Sequence, residues 1–264
     1  MELADTLKQQ ARQLGFAAVG IASADGSERL QLRSAALERW LDAGHQADMA
    51  WMADPRRRNV EALLPGVRSV VAVGLPYYVD AERAPGSLKV ARYGWGRDYH
   101  RVIDGRLRAL GRWLEGQSPG VGWRACVDSA PLLDKAWAEE AGLGWIGKHS
   151  NLISREHGSW LLIGHLLTTA ELPADPPAMP ACGTCTACLD ACPTGASANR
   201  LWWMPAAASP FTRSKTAMRN CPRPSPAPWR AGWPAATSAR TCAPGITNPW
   251  PAARIPTYSR GPGG

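Results

Sequence analysis

Four cysteines fall within eleven residues of this chain, Cys182, Cys185, Cys188 and Cys192, and a proline follows the last of them. Two residues separate each of the first three, so that one tight turn can present three thiolates to an iron–sulfur cube. Three residues separate the fourth, which directs it toward a second cluster. A zinc knuckle has a different cysteine count and needs histidine at finger spacing. A disulfide framework belongs to secreted chains, whereas the opening residues MELADTLKQQARQLGF carry acidic groups and no apolar signal core. The four cysteines are therefore read as ligands of 4Fe-4S chemistry.

Such a module needs a second cysteine run downstream, because each cluster takes its fourth thiolate from the other half. Only Cys221 and Cys242 follow, and they stand alone. The composition changes at the same place. Residues 1–200 hold 22 basic and 22 acidic residues, whereas the last 64 hold eight basic residues, no acidic one, 12 of the 23 prolines and five of the 13 tryptophans. A basic, disordered nucleic-acid tail is one reading, but five tryptophans and no acid are foreign to that composition. A slipped coding frame accounts for both. Back-translating Trp233–Ile246 with chosen third bases and Arg and Ser codons, and reading two bases later, gives AGCDICQDVCPWN, and the same treatment of Trp202–Thr216 gives VDAGRCISFHAIEN. The missing Cys-x2-Cys-x3-Cys-Pro run thus lies in another frame. Residues 201–264 are read as out-of-frame, disordered translation, with the slip near Leu201.

The elements upstream must position whatever the cysteines serve. Leu3, Leu7, Ala11 and Leu14 have helical spacing and end at Gly15. A short buried strand over Phe16–Ala22 and an amphipathic helix over Leu30–Gly44 follow. Met49–Met52 reads as core. Arg56, Arg57 and Arg58 suit either an anionic ligand or a solvated face. Val67–Leu75 is a β-branched run that predicts a central strand. Ala91–His100, ARYGWGRDYH, reads as a site-bearing loop, and Val102–Leu114 as a helix. Trp123–Val127 predicts a strand delivering Asp128 to its end, where α/β folds place carboxylates in a ligand crevice. The alternative for Asp128 is the N-cap of a helix over Leu132–Ala141. Ala141–Asn151, AGLGWIGKHSN, imitates a dinucleotide fingerprint and a P-loop. Both require a preceding strand, and here a helix precedes. The glycines suit a close approach of backbone to a ligand. Ser159–Leu167 predicts the last strand, with His165 in the core.

Taken in order, RYGWGRDYH, VDSAPLLDKAWAEEAGLGWIGKHSNLI, GSWLLIGHLL and CGTCTACLDACPTGA resemble the epoxyqueuosine reductase family over residues 1–200. The resemblance implies a cobalamin-binding α/β domain over 1–176 and the first half of a ferredoxin-like 4Fe-4S domain over 177–200. The tail of 201–264 is left outside both. It implies an oxidoreductase of tRNA processing, which reduces the epoxide of epoxyqueuosine at the wobble position to queuosine with cobalamin and two 4Fe-4S clusters. Asp128 matches the family's proton donor, whose pKa burial beside the corrin would raise. Arg57, Tyr99, His100, Asp128, Lys148 and Asn151 fall in motifs placed near cobalamin or substrate. The absence of an Asp-x-His-x-x-Gly run fits a base-off cobalamin.

The expected partners are tRNA bearing epoxyqueuosine and an electron donor such as a flavodoxin or ferredoxin. No apolar run approaches the ~20 residues of a spanning helix, so no membrane partner and a cytoplasmic location are expected. As written, the chain keeps the ligands for at most one partly ligated cluster and is expected to be poorly metallated and inactive. Two other readings share its features. A reductive dehalogenase-like cobalamin oxidoreductase has the same chemistry but usually an export signal. A ferredoxin-like electron carrier would not need the long body that presents Asp128.

Overall fold

The computed structural model describes residues 2–47, 49–81, 91–192 and 197. Pro193, the slip near Leu201 and the tail of 201–264 lie outside the described residues. The helices are α1 (Leu3–Gln13), α2 (Glu28–Asp42), α3 (Tyr99–Gln117), α4 (Asp134–Glu140) and α5 (Ala187–Asp190). The strands are β1 (Ala18–Ser23), β2 (Ser69–Pro76), β3 (Trp123–Val127), β4 (Trp145–Ile146), β5 (Leu152–Ile153) and β6 (Leu161–Thr168).

Four strands form one sheet in the order β1-β2-β6-β3, and every neighbouring pair is antiparallel. The continuous apolar run of β2 has the reason expected of an interior strand, since helices cover both faces. Register sorts the side chains. Ile21, Val71 and Leu166 lie opposite one another and face α1 and α3, meeting Leu7, Ala11, Ile103, Leu107 and Leu110. One residue along, Ala22, Val70 and Leu167 turn to the other face and meet Leu132, Trp137, Ala138 and Leu143. The period of two thus builds two cores from one set of strands. The α/β layering is as expected, but the crevice of a parallel sheet is not what presents Asp128.

Three local expectations change. Tyr99 and His100 form the first turn of α3 instead of a loop, because Asp98 caps that helix by accepting the His100 N–H at 3.0 Å. Trp51 is exposed while Met49 is buried, so the Met49–Met52 run is only partly core. The helix after Asp128 begins at Asp134 without a side-chain cap, so the N-cap alternative for Asp128 falls away.

The segment that leads to the cysteines is fastened to the sheet. Asp175 donates its N–H to the Ile21 carbonyl at 2.8 Å and accepts the Ile21 N–H on Oδ2 at 2.9 Å, closing the outer edge of β1. Its other carboxylate oxygen pairs with Lys8. Further along, the Ala178 N–H reaches the Glu139 carbonyl at 3.0 Å. Among the described residues, no helix is long and apolar enough to cross a membrane.

Candidate functional site

Asp128 stands one residue beyond β3, whose last residue Val127 pairs with Gly164 of β6. A side chain at Gly164 would come within 2.5 Å of Ile103 Cγ2, so the glycine lets α3 settle onto the sheet there. One helical turn before Ile103, Tyr99 is thereby carried to the end of β3. Its hydroxyl donates to Asp128 Oδ2 at 2.9 Å, and His100 Nε2 lies 3.2 Å from the same oxygen. The other imidazole nitrogen, Nδ1, is 2.8 Å from Asp98 Oδ1. The two rings stack with centroids 4.0 Å apart. A neutral imidazole can donate to only one of these carboxylates, whereas the protonated ring satisfies both. Burial opposes the charge, but the bonds to Asp98 and Asp128 outweigh it and raise the His100 pKa. Burial and the bond to Asp128 likewise raise that of Tyr99.

The Asp128 backbone is held at φ +25°, a left-handed value that residues other than glycine rarely adopt. The Ser129 hydroxyl and the Ala130 N–H both return to the Val127 carbonyl, at 3.1 and 3.0 Å, and tighten this turn. Its side chain is 64 % exposed. The chain itself therefore does not supply the burial expected around this carboxylate, and a ligand seated over it would have to.

Arg57 braces the same loop from below. It is 7 % exposed, donates from Nη1 to the Leu132 carbonyl at 3.0 Å and lies 4.8 Å from the Trp51 ring centroid. Burial lowers its pKa, opposed by Asp134, Asp54 and Asp128. Its neighbours Arg56 and Arg58 pair with Asp54 and Glu38. Asn151 is held through a residue that the sequence did not single out. Lys135 donates to Asn151 Oδ1 and to the Ser150 carbonyl, both at 2.8 Å. Lys135 as a residue is exposed, yet protein atoms crowd its ammonium, and that burial lowers its pKa against the pull of Asp134 and Asp128. Asp98 was also missed, although an aspartate directly before a helical stretch is a recognisable cap. Nothing in the sequence marks Lys135, whose role depends on where residues 150–151 return.

His149 is buried beside this lysine. Its Nδ1 accepts the Asn151 N–H at 3.1 Å, so its proton sits on Nε2, facing Ser159 Oγ at 3.3 Å. Burial first, and Lys135 second, hold its pKa down at about 4. An imidazole whose folded pKa lies below its unfolded value stabilises the fold above the unfolded value near 6.5. That contribution is lost as the pH falls from there toward 4. It corresponds to roughly 3 kcal/mol. Urea unfolding at pH 6.5 and pH 4 should show the parent chain losing more stability than His149→Gln, and equal losses would contradict this origin.

Lys148 bonds to the cysteine segment. Its ammonium donates to the Gly183 and Cys185 carbonyls at 2.8 and 2.7 Å, inside the cysteine segment. That segment turns at Gly183, with φ +47°, and the Cys185 N–H closes onto the Cys182 carbonyl at 3.0 Å. Cys188 is carried by α5 and buried, and Cys192 follows one turn later. The indole N–H of Trp145 donates to Cys182 Sγ at 3.3 Å. Thiols at this spacing, with an N–H aimed at one sulfur, have the donor chemistry of an iron–sulfur cluster. Among the described residues, no three metal-binding side chains are drawn together, so cluster binding would have to gather the thiols. The glycines of the 142–147 segment serve internal packing. A side chain at Gly144 would meet the Ile153 carbonyl at 2.3 Å, and one at Gly142 the Pro176 carbonyl at 2.8 Å. A cleft of about 360 Å³ between α2 and the 58–61 turn is lined by none of Arg57, Tyr99, His100, Asp128, Lys148, Asn151 or the cysteines.

Residues 57–129 match the family model described as "Epoxyqueuosine reductase QueG, DUF1730". An epoxyqueuosine reductase of Synechococcus sp. (strain RCC307) is 70% identical over 195 residues, which are 74% of this chain and 61% of that protein. The matched residues are homologous to the epoxyqueuosine reductases. Another from Synechococcus sp. (strain CC9605) is 71% identical over 194 residues, 74% of this chain and 60% of its own length. The epoxyqueuosine reductase of Streptococcus thermophilus superposes with a TM-score of 0.73 at 25% identity, covering 80% of this chain and 58% of that one. An epoxyqueuosine reductase solved with an epoxyqueuosine-modified tRNA-Tyr stem loop gives a TM-score of 0.69 at 29% identity, covering 79% of this chain and 56% of its own. The chain thus spans about three-fifths of the curated epoxyqueuosine reductases it matches.

Proposed function

We propose that this chain is the catalytic portion of a tRNA epoxyqueuosine reductase, with residues 1–176 as the cobalamin-binding body and 177–200 opening the ferredoxin-like part. The observation that carries the reading is the Asp128 carboxylate, held at a strained turn by Tyr99 and His100, within a body homologous to the epoxyqueuosine reductases. Deoxygenating an epoxide to an alkene consumes two electrons and two protons, breaks both C–O bonds and releases the oxygen as water. Cobalamin, when bound, supplies a reductant directed at carbon, and 4Fe-4S clusters feed it single electrons from a donor such as a flavodoxin or ferredoxin.

The residues of the chain handle the protons and the geometry. Asp128 faces the departing oxygen and donates to it. His100, bridged between Asp128 and Asp98, returns the proton, and the Tyr99 hydroxyl keeps the carboxylate in place. The exposed face around Asp128, with Trp51 joined to it through Arg57 and Tyr93 set edge-on to Tyr99 with centroids 6.3 Å apart, has the breadth and aromatic character for a large planar cofactor. Arg57 and Asn151 would border that cofactor. Cys182, Cys185 and Cys188 would hold the first cluster, whose fourth thiolate lies in the shifted frame, while Cys192 would serve the second.

The aligned 195 residues are about as many as precede the proposed slip, which supports reading 201–264 as out of frame. Resequencing the gene around codons 195–205 tests that part. The function is tested by restoring the frame, loading iron, sulfide and cobalamin, and assaying epoxyqueuosine-tRNA. The restored protein should convert it to queuosine-tRNA with about eight irons per chain, and the chain as written should not. A restored, fully loaded protein without turnover would overturn the assignment.

A further inference from the structure

Lys148 and Trp145 lie on one short segment, and both reach the cysteine turn. Lys148 is 8 % exposed and places its ammonium between two carbonyls of the turn, those of Gly183 and Cys185. Trp145 is buried and aims its indole N–H at the Cys182 sulfur. The residue between their ends is itself anchored. The Ile146 N–H donates to Glu139 Oε1 at 2.9 Å, and Glu139 is fully buried. Gly147 is closely packed, since a side chain there would come within 2.6 Å of Ile153 Cδ1 and displace it. The segment is therefore a fixed mount, and the cysteine turn rests on it.

We propose that Lys148 and Trp145 are positioning residues that hold the Cys182–Cys188 turn against the body before any cluster is bound. In a turn that must collect several thiolates, like charges repel, and an ammonium bonded to the turn's own carbonyls offsets that repulsion without occupying a sulfur. The indole N–H, 3.3 Å from Cys182 Sγ, gives the turn a second tie to the body. The body thus does part of the work that the second half of a ferredoxin module would otherwise do. This rests on the reading that the turn is a cluster site, but the clamp itself can be measured without iron.

The test is amide hydrogen exchange on the full chain, reduced and iron-free. The Cys185, Leu189, Asp190 and Ala191 N–H groups each donate within this region and report on it. Lys148→Met should speed their exchange at least about tenfold, while amides of β2 and β6 keep parent rates. Lys148→Arg, which retains a cation able to donate to both carbonyls, should recover most of the protection. Unchanged exchange in Lys148→Met would overturn the proposal. Should that variant fail to fold, β2 and β6 would lose protection too, and Trp145→Phe then decides. It keeps the ring and removes only the N–H, so faster exchange confined to the turn supports the clamp and parent rates refute it. On iron and sulfide loading of the frame-restored protein, Trp145→Phe should shift the cluster's visible absorption. A frame-restored protein with a protected turn that takes up no iron would sink the cluster reading and leave the clamp standing.

Discussion

Asp128→Asn in the frame-restored protein is expected to lower turnover of epoxyqueuosine-tRNA by roughly 10²–10⁴-fold, the usual contribution of a positioned general acid. The substitution keeps size and shape, and the amide oxygen can still accept from Tyr99, so tRNA affinity should stay within about twofold of the parent. Single-turnover kinetics beside a binding titration separates these effects. Loss of affinity with an unchanged chemical step would make Asp128 a binding residue instead. Asp98→Asn gives a smaller companion effect. It withdraws one of the two carboxylates that raise the His100 pKa, so the ring should titrate at lower pH by NMR. The alkaline limb of the rate profile should move down with it.

The largest effect on stability is expected at Glu139. Its carboxylate is fully buried and accepts from Arg33 Nε at 2.9 Å, from Arg33 Nη2 at 3.0 Å and from the Ile146 N–H. One side chain therefore joins α2, α4 and the segment that carries Trp145 and Lys148. Glu139→Ala strands a guanidinium and a backbone N–H, and breaking a buried pair in this way costs about 3–5 kcal/mol. Urea unfolding would show it, and a loss under 1 kcal/mol would mean that water replaces the carboxylate. Replacing Arg33 and Glu139 together with apolar residues should be milder than either single change, because no charge is then left buried alone.

Much of this was legible in the residues. The apolar run of β2, the strand ending at Val127 and the helix ending before Gly15 follow from local periodicity and turn chemistry, and all three are present. The residues of the candidate site could be named from the sequence, but not their geometry. Asp128, Tyr99 and His100 come together because Gly164 admits Ile103, a contact between positions far apart in the chain that no local pattern encodes. Lys148 shows the same limit from the other side. Its motif suggested a place near cobalamin or substrate, while the partners its ammonium has within the chain are the Gly183 and Cys185 carbonyls, far along the sequence. Antiparallel order was likewise hidden, since strands buried on both faces look alike whichever way they run.

The bonds between Asp175 and Ile21 bear on how a shortened chain would behave. β1 is an outer strand of the sheet, and the approach to the cysteines lies along its open side. A protein ending near residue 173 keeps every strand and both cores, yet it lays bare the donors and acceptors of an apolar edge, the template on which separate molecules pair and precipitate. A cell that makes such a fragment, or a laboratory that isolates it, should find it in the insoluble fraction despite an intact interior. The residues leading to the cysteine turn thus also serve as the sheet's guard against self-association.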